Sequence, residues 1–121
     1  MSSEFFATNE LSCKCGCNEC LMDRTFMGKL DAIREAVNKP FPVTSAYRCP
    51  DHNDNVSGTG RGGPHTTGRA IDIKAAGRMK FEIMEAAKSQ GMTRFGIGRE
   101  FIHIDDLSEE DGFDGDVVWT Y

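Results

Sequence analysis

The stretch Gly63-Pro64-His65-Thr66-Thr67-Gly68-Arg69-Ala70-Ile71-Asp72-Ile73-Lys74 changes character halfway along. A loop of small and polar residues gives way at Ala70 to an alternation of period two. Successive side chains of a strand point to opposite faces, so Ile71 and Ile73 face a core and Asp72 looks the other way. Phe101-Ile102-His103-Ile104-Asp105 repeats the pattern. Ile102 and Ile104 point inward, which puts His103 on the outer face that Asp72 uses. Arg94-Phe95-Gly96-Ile97-Gly98 reads as a further strand, joined to this one by a tight turn.

The rest of the chain supplies helices to cover that sheet. Met22, Phe26, Leu30, Ile33 and Val37 recur at spacings of three and four, which predicts a helix from about Glu19 to Asn38 with one apolar face. Lys39-Pro40-Phe41-Pro42 ends it, because proline lacks an amide hydrogen and disfavours helix in the residue before it. Pro42 to Tyr47 reads as a strand that delivers Arg48 at its end. A glycine-rich loop, Asn53 to Pro64, follows. A second helix is expected from about Arg78 to Gln90, burying Phe81, Ile83, Met84 and Ala87, with Gly91 suited to the position after its C-cap. An acidic loop from Asp105 to Asp116 leads into a last strand, Val117 to Tyr121. With no repeat and no linker, the reading is one α+β domain over residues 1–121: two helices packed on a small, mostly antiparallel sheet. Residues 1–18 form a cysteine-rich entry segment.

Composition narrows the function classes. The 121 residues carry a net charge of −5, which makes the chain a poor candidate for binding nucleic acid or an anionic membrane through charge. No apolar run approaches the roughly 20 residues of a membrane helix, so no membrane insertion is expected. Met1-Ser2-Ser3-Glu4-Phe5-Phe6 has neither a basic start nor an apolar run, so no signal peptide is read. A protein made in the cytoplasm this way needs another route if it acts outside.

Cys13, Cys15, Cys17, Cys20 and Cys49 are the compositional oddity. Without a signal peptide the balance leans to thiols or metal over disulfides. The spacing C-x-C-x-C-x-x-C is tighter than paired C-x-x-C knuckles. Cys49 adds a fifth sulfur if Tyr47-Arg48-Cys49 folds back onto the N-terminus. A structural metal site, inert or capping thiols, and disulfides all remain open.

His65, Asp72 and His103 carry the chemistry. Six residues separate His65 from Asp72, enough for the chain to turn back so that both side chains reach one point. Gly68 permits the backbone angles of that return, and small Ala70 leaves room. Two of the chain's three histidines fall in this pattern, which weighs against three unrelated polar residues. Two imidazoles and a carboxylate with a fourth position open are the ligand set of a catalytic zinc. Such a site also needs a base to take a proton from the attacking water. Glu100 is the candidate, although residues three apart on a regular strand face opposite sides, so it must sit in the turn or at a bulge. Asp105 shares the face of His103 and is the rival base, or a partner that orients an imidazole. Arg48 can grip a substrate carboxylate or stabilise an oxyanion, against the plainer reading of a surface ion pair. His52 reads as a loop-ordering residue. The run from Glu109 to Asp116 lacks the ligand spacing of an EF-hand and reads as a solvated loop. Trp119 and Tyr121 suit packing in the closing strand, or a cleft wall.

Ser45-Ala46-Tyr47-Arg48, His65 to Asp72, and Glu100 to His103 together resemble the M15, or LAS, zinc metallopeptidases. These include D-Ala-D-Ala carboxypeptidases and dipeptidases and phage L-alanyl-D-glutamate endopeptidases. The likeness is strongest to the short phage and prophage members and spans about residues 9–106. It implies the hedgehog/D-Ala-D-Ala peptidase fold, zinc held by His65, Asp72 and His103, Glu100 as general base and Arg48 as the stabilising arginine. It implies peptidoglycan stem peptides as substrate, and phage-type lysis or wall remodelling as the setting, with action on the cell wall after release. Gly63 departs from the family's usual serine, which removes one hydrogen-bonding group beside the site. A zinc-stabilised, non-catalytic phage or cell-wall-binding module is the alternative.

Overall fold

Why the chain folds around the Asp72 and His103 strands is visible in their pairing. The computed structural model describes residues 5–121, so the first four residues of the expected entry segment lie outside the described residues. In chain order the elements are α1 (Thr8–Leu11), α2 (Arg24–Val37), β1 (Val43–Ser45), α3 (Pro50–Val56), β2 (Ala70–Lys74), α4 (Arg78–Ser89), β3 (Arg94–Ile97), β4 (Phe101–Asp105) and β5 (Val117–Thr120). Single 3-10 turns lie at Pro64–Thr67 and Glu109–Asp111. The strands form one sheet in the order β1-β2-β4-β3-β5. Every pairing is antiparallel except β3 with β5, which run parallel. The fold is α+β, with two long helices, two short ones and a mixed sheet.

β2 and β4 pair without a break from Ala70↔Asp105 to Lys74↔Phe101. Ile71 therefore lies opposite Ile104, and Ile73 opposite Ile102, on the face that meets the helices. Phe26, Leu30 and Ile33 of α2 and Ile83 and Ala87 of α4 complete that core, each fully buried. Burying an Ile, Leu or Phe side chain contributes about 1.5–3 kcal/mol, so this layer fixes the register of the sheet. A slip of either strand by one residue would turn its two isoleucines out of it.

Several boundaries and one stretch of the core differ from the sequence reading. The strand expected over Pro42 to Tyr47 spans only Val43–Ser45, so Arg48 lies in the irregular segment after it. The first long helix begins at Arg24, not near Glu19, because Asp23 caps it: its carboxylate accepts a hydrogen bond from the Phe26 amide at 2.9 Å. Met22, counted in the helical stripe, is buried all the same, from the non-helical segment before the cap. The stretch read as a loop from Asn53 opens inside a helix, α3, which Pro50 starts at its first position. In α4 Ile83 and Ala87 are buried as expected, but Met84 is only partly buried and Phe81 is exposed, because the core-facing stripe runs through Met79, Ile83 and Ala87 at spacings of four.

Candidate active site

Asp72 and His103 are direct partners across the β2–β4 ladder, on the face opposite the isoleucines. Both are buried. His65 reaches them from the 3-10 turn that precedes β2. Gly68 makes that approach possible. It sits at φ +77°, and a Cβ there would collide with the Leu21 carbonyl, while its own carbonyl accepts the Asp23 amide at 2.8 Å. The loop is thus pressed onto the start of α2, and His65 is carried over the sheet.

The three side chains converge atom by atom. His65 Nε2 lies 3.2 Å from Asp72 Oδ1, and His103 Nδ1 lies 2.8 Å from the same oxygen. The imidazole rings meet edge to face with centroids 5.0 Å apart. Each ring's other nitrogen is already held. His65 Nδ1 donates to the Ala46 carbonyl at 2.7 Å, and His103 Nε2 donates to Asp105 Oδ2 at 2.7 Å. Outer partners of this kind fix the tautomer and aim the inner nitrogen. Ligands about 2.1 Å from a tetrahedral zinc stand roughly 3.4 Å from one another, close to the separations found here. The donor set, its burial and its outer hydrogen bonds therefore fit a zinc ion.

The electrostatics agree with a cation site. Burial disfavours a charged Asp72, yet hydrogen bonds from His103 and His65 outweigh it and hold the carboxyl below its ordinary range. For His103 burial favours the neutral ring, but Asp105 and Asp72 on either side raise its pKa. A proton on Nδ1 of His103 fills the role a metal cation takes over on binding, so binding would release it.

Asp105 is fully buried and fully engaged. Besides His103 it accepts from Arg94 Nε at 2.8 Å and from the Leu107 amide at 3.1 Å. It is thus an orienting partner of the imidazole, not a free base. Arg48 stands at the other side, with Nε bonded to Ser45 Oγ at 3.0 Å and Nη1 to Asn53 Oδ1 at 3.1 Å. Its Nη2 is 3.9 Å from Asp72 Oδ2. Glu100 lies in the bend just before β4, as the strand geometry required, and is exposed. Its carboxylate makes no hydrogen bond among the described residues and does not line the cleft.

A cleft of about 480 Å³ opens over this group. Arg48, His65, Asp72 and His103 lie within it, with Phe101, Phe113, Trp119 and Tyr121 as aromatic lining and the end of α3 with the loop that follows it, residues 56–59, as a further wall. Trp119 stands 5.3 Å from the His103 ring and Tyr121 packs on Phe101 at 5.0 Å, so both line the cleft as well as closing the sheet. His52 lies in α3, outside the cleft lining. Sequence reasoning missed Asn53 and Arg94. Asn53 is almost fully buried and ties Arg48 to Thr59 and Gly60. Arg94 neutralises Asp105 and lies against Trp119 and Phe113. Gly63 also has its reason: a Cβ there would overlap the Thr59 side chain and reach Asn53 Nδ2 at 3.0 Å, so the loop has no space for serine.

Of the cysteines, Cys13, Cys15, Cys17 and Cys49 come together, and Cys20 does not. Cys20 instead packs, half-buried, against the core. In the acidic loop, Arg69 binds Asp106 through Nε and Asp111 through Nη1, both at 2.8 Å, which docks the loop against β2.

Fold and cleft define a class: an α+β domain in which two imidazoles and a carboxylate meet at a buried point below a half-open, aromatic-lined cleft. The chain belongs to the peptidase M15 family, whose model matches residues 4–105. It is a peptidase of a zinc-dependent family. No curated protein matches the chain. Among the described residues no helix is long and apolar enough to cross a membrane.

Proposed function

We propose that this protein is a zinc-dependent peptidase that hydrolyses a peptide bond in the stem peptides of peptidoglycan, with His65, Asp72 and His103 as the metal ligands. The observation that carries the reading is the convergence of His65 Nε2, His103 Nδ1 and Asp72 Oδ1, each imidazole aimed by a separate outer hydrogen bond. Zinc bound there supplies a Lewis acid that polarises a carbonyl and acidifies water.

The chain's own residues do the rest. Arg48, fixed by Ser45 and Asn53, offers the guanidinium to a substrate carboxylate or to the oxygen that gains charge during attack. Stem peptides are rich in carboxylates, which suits that cation beside an aromatic wall. Asp105 holds the His103 ring through Nε2. Glu100 is the proton acceptor in this reading, on the strength of the family resemblance: it is unpaired, in a bend outside the regular strand, next to Phe101, whose ring lines the cleft, and its side chain must swing inward from outside that lining to serve. The opposite-face rule for strands does not bind a residue in a bend. The family resemblance supports phage or prophage lysis or wall remodelling as the setting.

The test is mass spectrometry of products from purified peptidoglycan incubated with zinc-loaded protein and with Glu100→Gln. A stem-peptide fragment formed by the unmutated protein, and at least about 100-fold more slowly by the variant, is the expected result. No fragment from several wall chemistries, with zinc bound, would overturn the reading in favour of a binding module. Equal rates for the two proteins would remove Glu100 as the base.

A further inference from the structure

The thiol group at the other end of the Arg48 segment is not used by the cleft. Cys13 Sγ lies 3.5 Å from Cys15 Sγ and 3.7 Å from Cys49 Sγ, and Cys15 Sγ lies 3.6 Å from Cys49 Sγ. Cys17 completes a set of four whose sulfurs all fall within 4.8 Å of one another. Sulfurs about 2.3 Å from a tetrahedral zinc are spaced roughly 3.8 Å apart, which matches the three close pairs. Thiols are weak hydrogen-bond donors, so bonds among themselves are a poor reason to gather four.

The backbone is shaped for the purpose. Gly16 at φ +94° and Asn18 at φ 62° turn the chain so that Cys13, Cys15 and Cys17 face one point, and the Cys13 amide closes the loop onto the Glu19 carbonyl at 2.8 Å. Cys49 comes from the segment after β1, drawn in where the Tyr47 amide donates to the Leu11 carbonyl at 3.1 Å. Its own amide donates to Cys13 Sγ at 3.3 Å, a contact that favours a thiolate there. Cys13 and Cys49 are buried, Cys15 and Cys17 exposed. Four soft donors in a closed set, with no open position, are the chemistry of a structural zinc.

We infer that Cys13, Cys15, Cys17 and Cys49 form a second metal site, a structural zinc that clamps the entry segment to the segment after β1 that carries Arg48. Binding releases the thiol protons to solvent and leaves four thiolates on the ion. Cys20 takes no part. The site stands apart from the reading of the cleft and does not depend on it.

Cobalt(II) titration of the reduced full chain tests it, read by the thiolate-to-cobalt charge-transfer band. The band is expected in the unmutated protein, in His65→Ala and in Cys20→Ser. In Cys17→Ser, cobalt binding at this site should weaken at least tenfold. No band in the unmutated protein, an unchanged band in Cys17→Ser, or its loss in Cys20→Ser would overturn the assignment. Persistence of the band in His65→Ala separates this site from the cleft. Alkylation of the unmutated chain gives a second readout that no folding defect can confuse. With zinc bound, iodoacetamide should label Cys20 and spare the exposed Cys15 and Cys17, which become labelled after chelation. Equal labelling of Cys15 and Cys17 before and after chelation would also overturn it.

Discussion

Asp72 and His103 reach the site from an unbroken antiparallel ladder, whereas His65 and Arg48 reach it from a turn and from the irregular segment after β1. The first pair is aimed by the sheet itself. Four buried isoleucines on the reverse face hold the register, and any side chain at positions 72 and 103 would meet across it. The second pair is aimed by dedicated polar contacts: the Ala46 carbonyl for His65, and Ser45 and Asn53 for Arg48. The ladder side therefore fails through its ligands, the loop side through its supports.

The largest expected effect is on the ladder side. Asp72→Ala removes the carboxylate that both imidazoles face, and should abolish turnover and reduce zinc in the cleft below stoichiometric levels, measured by metal analysis and product formation. Stoichiometric zinc retained in the cleft would show the ligand set to be different. Asp105→Asn, one layer out, keeps the shape but not the charge that orients His103 and neutralises Arg94. Zinc affinity should fall about 10–100-fold by chelator competition.

Asn53→Ala attacks the loop side. It releases Arg48 and leaves the Gly60 carbonyl without its partner, a cost of about 1–3 kcal/mol in stability. Here kcat/KM should fall while zinc affinity stays unchanged, the opposite of Asp105→Asn. If both variants lose zinc equally, the two halves are not independent. Gly63→Ser forces the 53–63 loop apart at Thr59 and should destabilise by roughly 1–3 kcal/mol in denaturant unfolding, despite restoring the family's usual residue.

The smallest effect belongs to the docked acidic loop. Arg69 depresses the pKa of Asp111, chiefly through its hydrogen bond. A depressed carboxyl stabilises the fold above its unfolded pKa of about 3.9 and loses that contribution as pH falls through the folded value. The melting temperature of Asp111→Asn should thus lie slightly below that of the unmutated protein at pH 5, and the gap should close as pH drops below about 4.

The contrast also explains what the sequence made legible. Period-two alternation in 70–74 and 101–105 carries both the pairing and the side each residue faces, so Asp72 and His103 could be placed together before any coordinates. The supports could not. Asn53 meets Arg48, Thr59 and Gly60 through the turn from α3 into the loop, which leaves no periodic trace, and Arg94 meets Asp105 across the β3–β4 ladder, whose register the alternation within each strand does not fix. α3 was hidden because Asp and Asn are poor helix formers, and its start depends on Pro50. The parallel pairing of β5 with β3 likewise follows from how the acidic loop crosses the molecule. Cys49 joining the entry thiols turned on a chain reversal that the sequence could pose as a condition but not decide.

The most direct test of the central claim is hydrolysis of a stem peptide by protein stripped with a chelator, before and after zinc is restored, for the unmutated chain and Asp72→Ala. The account predicts that stripping abolishes hydrolysis, that zinc restores it in the unmutated protein, and that zinc does not restore it in Asp72→Ala. Hydrolysis that survives stripping, or returns fully in Asp72→Ala, would contradict it.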